Sequence, residues 1–109
     1  MKIDFSKIEE TVNQNFKGGE KYTVTRAFTD GSNRILKGLL VPGATIGMHT
    51  HETSSETILI TSGKGCVIDD SVRVPLVAGD VHYCPKGHTH SLINDSDADM
   101  EFFAVVPQQ

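Results

Sequence analysis

The sequence predicts one all-β domain, a sandwich or barrel of short antiparallel strands. Three observations predict it. At 109 residues the chain fits a single domain and leaves little room for a second. Short runs rich in Val, Ile, Thr and Phe recur from residue 21 to the end. Clusters of Gly, Pro, Asp and Ser separate those runs, and no low-complexity tract or linker interrupts the series.

Residues 1–20 read as an N-terminal arm. Ser6 followed by Glu9 has the form of a capping box and permits one or two helical turns. The alternative, which we adopt, is an extended arm that lays Phe5, Ile8, Val12 and Phe16 on a barrel face or on a second subunit. The barrel domain, 21–109, carries strands at about 21–28, 34–41, 45–51, 56–62, 66–69, 72–77, 81–84, 89–94 and 100–106. Between them lie turn formers such as Asp30-Gly31-Ser32-Asn33, Gly63-Lys64-Gly65 and Pro85-Lys86-Gly87. Asp95 to Asp99 forms an acidic loop. Short strands leave sheet edges to be covered, and a homodimer is a usual remedy.

Composition narrows the partners. The formal charge is −4 and no Lys/Arg cluster forms a phosphate-binding patch, so neither nucleic acid nor a membrane surface is expected. No secretory segment and no apolar run of about 18 residues is read in the sequence, so a cytoplasmic location is expected. In that reducing compartment Cys66 and Cys84, the two cysteines, are expected as free thiols.

Four of the five histidines fall in two short stretches. His49 and His51 are two apart in a strand, so both side chains leave the same face. Glu56 opens the next strand after a turn of Glu52-Thr53-Ser54-Ser55, which sets its carboxylate beside them. The same alternation puts Ile58 and Ile60 on the inward face beneath the ligands. His90, from a distant strand, supplies a fourth donor. A lone strand histidine is usually a surface or satisfied core residue. An inward group of three His and one Glu without an ion is costly to bury, so the set points to a metal site. Three imidazoles and a carboxylate suit one divalent transition metal with one or two coordination positions open.

These residues resemble the two cupin motifs. Gly43, His49, His51, Glu56 and Gly63 match the first at every fixed position, and Gly79, Pro85, Gly87, His90 and Asn94 match the second. Together they span 43–94, about half the chain. The resemblance implies a double-stranded β-helix, or jelly-roll barrel, holding Mn, Fe, Ni or Zn. Cupins include dioxygenases, decarboxylases, sugar and sugar-acid isomerases, and proteins that only bind ligands, so the fold does not choose the reaction. The chain departs from bicupin oxalate decarboxylases in having one domain. Glu101-x-Phe103 resembles the last strand of small cupins that open unsaturated uronates, but the Arg that follows there is missing. Two readings remain: a metal-dependent enzyme acting on a small molecule, or a metal-dependent binding protein for a sugar or carboxylate.

Further candidates surround that core. His88, two residues before His90, and Glu101 are the candidate general acid or base. Arg34, in an early strand, would clamp a carboxylate, as would Arg26. Ile58, Ile60 and Phe103 are candidate substrate contacts; Phe102 and Phe103 are consecutive, so one faces the pocket and the other away. His82 is expected on a strand face, Cys84 as small apolar packing, and Asn94 as a turn-capping side chain.

Overall fold

Strand alternation decides which side chains meet. The computed structural model describes residues 1–109. It contains β1 Thr11–Gln14, β2 Tyr22–Thr29, β3 Asn33–Leu40, β4 His49–Thr50 and β5 Glu56–Ser62, then β6 Lys64–Asp69, β7 Val72–Val77, β8 Val81–Cys84, β9 Thr89–Ile93 and β10 Met100–Pro107. One sheet runs β1-β2-β3-β10-β5-β8 and the other β4-β9-β6-β7. Every strand pairing is antiparallel. The two sheets form a jelly roll rather than one continuous closed barrel.

Alternation fills the space between the sheets. Ile58 and Ile60 of β5, Leu36 and Leu40 of β3, and Met100, Phe102 and Ala104 of β10 all point inward and are buried. The β10 row sits between β3 and β5, so its side chains meet both neighbours' inward rows. Gly38 stands opposite Phe102 in the ladder. A Cβ at Gly38 would lie 2.3 Å from the Phe102 ring, so glycine there gives the ring its place over β3.

The first fifty residues depart from expectation in two places. Thr11–Gln14 is a strand, pairing Thr11 with Thr25 at the edge of the larger sheet. Single 3-10 turns at Phe5–Lys7 and Phe16–Gly18 flank it. The second difference is at 45–51, where only His49–Thr50 is ladder. Thr45 makes an isolated bridge to Ile93, and the Gly47 N–H donates to the Phe16 carbonyl. The 45–47 segment therefore bonds in part to the 16–20 turn. Gly47 permits this contact, because a Cβ would lie 2.0 Å from the Lys17 carbonyl oxygen.

Candidate metal centre

The site is assembled by β4, β9 and the start of β5. His49 pairs directly with His90 across the β4–β9 ladder. His51 lies just past β4, where its N–H donates to the His88 carbonyl at 3.0 Å and its carbonyl accepts from Gly87 at 2.6 Å. The 52–55 turn then returns the chain so that Glu56 opens β5 facing the histidines. His90 Nε2 lies 3.0 Å from His51 Nε2, 3.1 Å from His49 Nε2 and 3.1 Å from Glu56 Oε1. His51 Nε2 is also 3.1 Å from Glu56 Oε1. All four donor atoms lie within 4.8 Å of one another.

Each imidazole is oriented from behind. His49 Nδ1 is 2.7 Å from the Gly47 carbonyl, which can only accept, so that nitrogen carries the proton and Nε2 offers a lone pair inward. His51 Nδ1 is 2.8 Å from Ser54 Oγ. His90 Nδ1 is 3.0 Å from Nε2 of His82, and both rings are buried. For His90 Nε2 to present a lone pair, its Nδ1–H donates to His82. Partners of this kind on the outer nitrogens fix the tautomer and the ring angle of metal-binding histidines.

Burial and close packing shift His49, His82 and Glu56 from their ordinary ranges. Burial pushes His49 below the usual histidine range, and nearby His90 and His51 charge adds to the effect, against the opposing bond to Gly47. His82 is lowered by burial and then by His90. Burial alone would raise Glu56, but hydrogen bonds from His51 and His90, together with their charge, outweigh it and hold the carboxyl at about 2.

The donor set fits a transition-metal ion. Two donors each about 2.1 Å from an ion and at right angles to it stand about 3.0 Å apart. The Nε2 pairs at 3.0 and 3.1 Å match that spacing. With the outer nitrogens of all three rings already partnered, the three inner nitrogens and the Glu56 oxygen converge as one donor set. His49, His51, Glu56 and His90 could therefore hold one metal ion together.

A cavity of about 400 Å³ opens beside the cluster. Arg34, Ile58, Phe102 and Val106 form part of its wall, and Glu52, Thr53 and Ser54 line it from the turn. Ile60 lies deeper, in the apolar core, and does not line it. Phe102 is the member of the aromatic pair that lines the cavity. Phe103 and Glu101 belong to the opposite row of β10, and Phe103 packs edge-on against Phe5 of the N-terminal segment at 6.3 Å. The expectation that Glu101 and Phe103 face the pocket is thus corrected by the phase of the strand. His88 is likewise outside the cavity, because it belongs to the turn before β9 and the two-residue alternation does not extend to it. It is half exposed and pairs with Asp70, which also accepts from the Thr89 N–H at 3.0 Å.

Sequence reasoning missed His82. Parity with Cys84 puts both residues on one face of β8, and the pairing of Cys84 with Glu56 and His82 with Ile58, which only the structure gives, makes that face the inward one. Asn94, as expected, is structural. Its amide donates to the Leu40 and Ala98 carbonyls at 2.8 Å each, and its oxygen accepts from Ser96. Both thiols are free and buried.

A family model described as a cupin domain matches residues 38–106. The chain is a cupin. This cupin is 40% identical over 67 residues to an oxalate-binding protein of Thermotoga maritima, a match covering 62% of the chain and 55% of that relative's own length. Its fold superposes on the crystal structure of a predicted oxalate decarboxylase from Thermotoga maritima with a TM-score of 0.93, 29% identity and 100% of each chain covered. A sugar phosphate isomerase from a cupin superfamily, from Silicibacter pomeroyi, gives a TM-score of 0.82 at 23% identity, covering 100% of this cupin and 76% of that chain. The last likeness is one of fold. No helix of this cupin is long and apolar enough to cross a membrane.

Proposed function

We propose that this cupin holds one divalent transition-metal ion, Mn, Fe, Ni or Zn, on His49, His51, Glu56 and His90 and takes a small carboxylate at that ion. The observation that carries the reading is the convergence of three imidazole Nε2 atoms and one carboxylate oxygen at the side of a cavity. A bound ion would supply a fixed positive charge that holds a carboxylate and polarises it. The protein's own part is to orient the three rings through Gly47, Ser54 and His82, and to present an apolar wall at Ile58 and Phe102. The relative described as oxalate-binding supports a carboxylate ligand.

Turnover and binding remain two readings of one site. The enzyme reading draws support from the ligand set beside an open cavity, with a dioxygenase, decarboxylase or isomerase as candidate chemistries. The binding reading draws support from the position of His88 and Glu101, neither of which lines the cavity, leaving Glu52 as its one carboxylate apart from Glu56. Protein loaded separately with Mn(II), Fe(II), Ni(II) and Zn(II) should be titrated with oxalate by calorimetry and the mixtures analysed for products. Metal-dependent heat without product favours the binder, and product release favours the enzyme. Absence of both with every ion contradicts the carboxylate reading.

The edges of the larger sheet support a proposal about assembly. Val12 at one edge of the larger sheet and Val81 and Tyr83 at the other are exposed, and we expect a cytoplasmic homodimer, with light scattering as its test.

A further inference from the structure

The cavity is larger than the smallest carboxylates need. Oxalate has six non-hydrogen atoms, and at the roughly 30 Å³ a water takes in the liquid they fill under half of it. Two further groups in the wall lack partners. Of the three arginines, Arg26 holds the Phe5 and Ile8 carbonyls and Glu10, and Arg73 pairs with Asp95. Arg34, half-buried, has no hydrogen-bond or ion-pair partner and lines the cavity. Thr23, 1% exposed, lines it too, and its Oγ1 is the buried side-chain polar atom without any partner.

Register places Arg34 relative to the cluster. β10 pairs Val105 with Thr57, which brings Val106 level with Glu56, and on its other side it pairs Val106 with Arg34. Arg34 and Glu56 therefore occupy one inward row, two strands apart, about 10 Å between backbones at ordinary strand spacing. Glu56 faces the imidazoles. Arg34 faces the same cavity from the far side of Val106 with its charge unused.

We propose that the natural ligand is two-ended: a 2-hydroxy- or 2-oxo-carboxylate head at the metal cluster, and a second carboxylate bound by Arg34. The Thr23 hydroxyl meets a polar group along the ligand body. This rests on the metal-centred reading above and adds the substrate class. An unpaired guanidinium lining a cavity is matched by a planar carboxylate, which it can grip through two parallel N–H donors. A monocarboxylate of equal length leaves that charge unmatched.

Metal-loaded protein tests this with two matched probe pairs, malate against 2-hydroxybutyrate and 2-hydroxyglutarate against 2-hydroxypentanoate. Each pair shares its chelating head and differs in the far end. Metal stoichiometry and the melting temperature are measured first, for wild type, Arg34→Gln and Arg34→Lys. At least one diacid should bind about 10- to 100-fold more tightly than its monoacid partner, the ratio should fall to near one in Arg34→Gln, and Arg34→Lys should keep part of it. Equal affinities within both pairs, a ratio unmoved by Arg34→Gln, or no binding by any probe overturns the two-ended ligand while leaving a metal-filled protein intact. Failure to take up metal overturns the underlying reading itself.

Discussion

His82 Nε2 lies 3.0 Å from Nδ1 of His90, so a residue outside the ligand set contacts the most buried of the metal-cluster imidazoles. The contact explains why β8, whose other face is exposed at Val81 and Tyr83, carries a histidine inward. His82→Phe keeps the bulk and removes the acceptor. Metal affinity should fall about 10- to 100-fold in that variant, with the cooperative thermal transition retained. Unchanged affinity in a competition titration with a chelating dye would show that His82 only fills space.

Stripping the ion should weaken the fold. An ion present at about 100 times its dissociation constant stabilises the native state by about 2.7 kcal/mol. For a domain of this size that corresponds to a melting shift on the order of 10 °C. Scanning calorimetry with and without a chelator measures it. Superimposable transitions would contradict preferential binding of the ion by the native chain.

The stripped protein should be acid-labile. His49 and His82 have folded-state pKa values below the unfolded value of 6.5, with burial the leading cause in both. The unfolded chain therefore binds more protons than the folded chain as pH drops below 6.5, so their contribution is full above that pH and is lost below it. Glu56 acts in the same direction at lower pH, its contribution falling between 4.5 and about 2. The melting temperature should hold steady above about pH 7 and fall progressively below pH 6.5, less steeply in His82→Phe. A flat profile down to about pH 5 contradicts the burial of these rings.

The thiols should be inert in the native state. Burial, then the charges of Glu56, Asp69 and Asp70, push the Cys84 thiol up to about 11, and burial likewise raises Cys66. Iodoacetamide at about pH 8 should label neither until urea unfolds the chain. Rapid native labelling of Cys84 would place it nearer solvent than its 0% exposure allows.

Asn94→Ala should cost about 2–4 kcal/mol, because it strips the partner from the buried Leu40 carbonyl of β3 and removes the bonds that hold the 95–99 loop. Urea denaturation gives the value. A loss under about 0.5 kcal/mol would show that water replaces the amide without penalty.

Much of the architecture was readable because alternation and turn chemistry agree from residue 56 onward, where the expected strands fall within two residues of those observed. The cluster was readable for a related reason: a spacing of two in a strand and a four-residue return fix which side chains share a face. Three things were hidden. β1 is a polar edge strand, Thr-Val-Asn-Gln, with no alternation to mark it. Between Phe102 and Phe103 the choice depends on pairing with β3 and β5, which the sequence alone does not give. His82 needed the β5–β8 register to reveal that it faces His90. Cross-strand relationships, rather than local propensity, separate what was legible from what was not.

Elemental analysis joined to X-ray absorption at the edge of the bound element measures the central claim most directly. Wild-type protein incubated with Mn(II), Fe(II), Ni(II) or Zn(II) should retain about one ion per chain, with imidazole nitrogen dominating its surroundings. A His51→Ala, Glu56→Ala double variant that still melts cooperatively should retain almost none. Folded wild-type protein that stays empty with every ion, or a double variant that fills as well as the parent, contradicts the account.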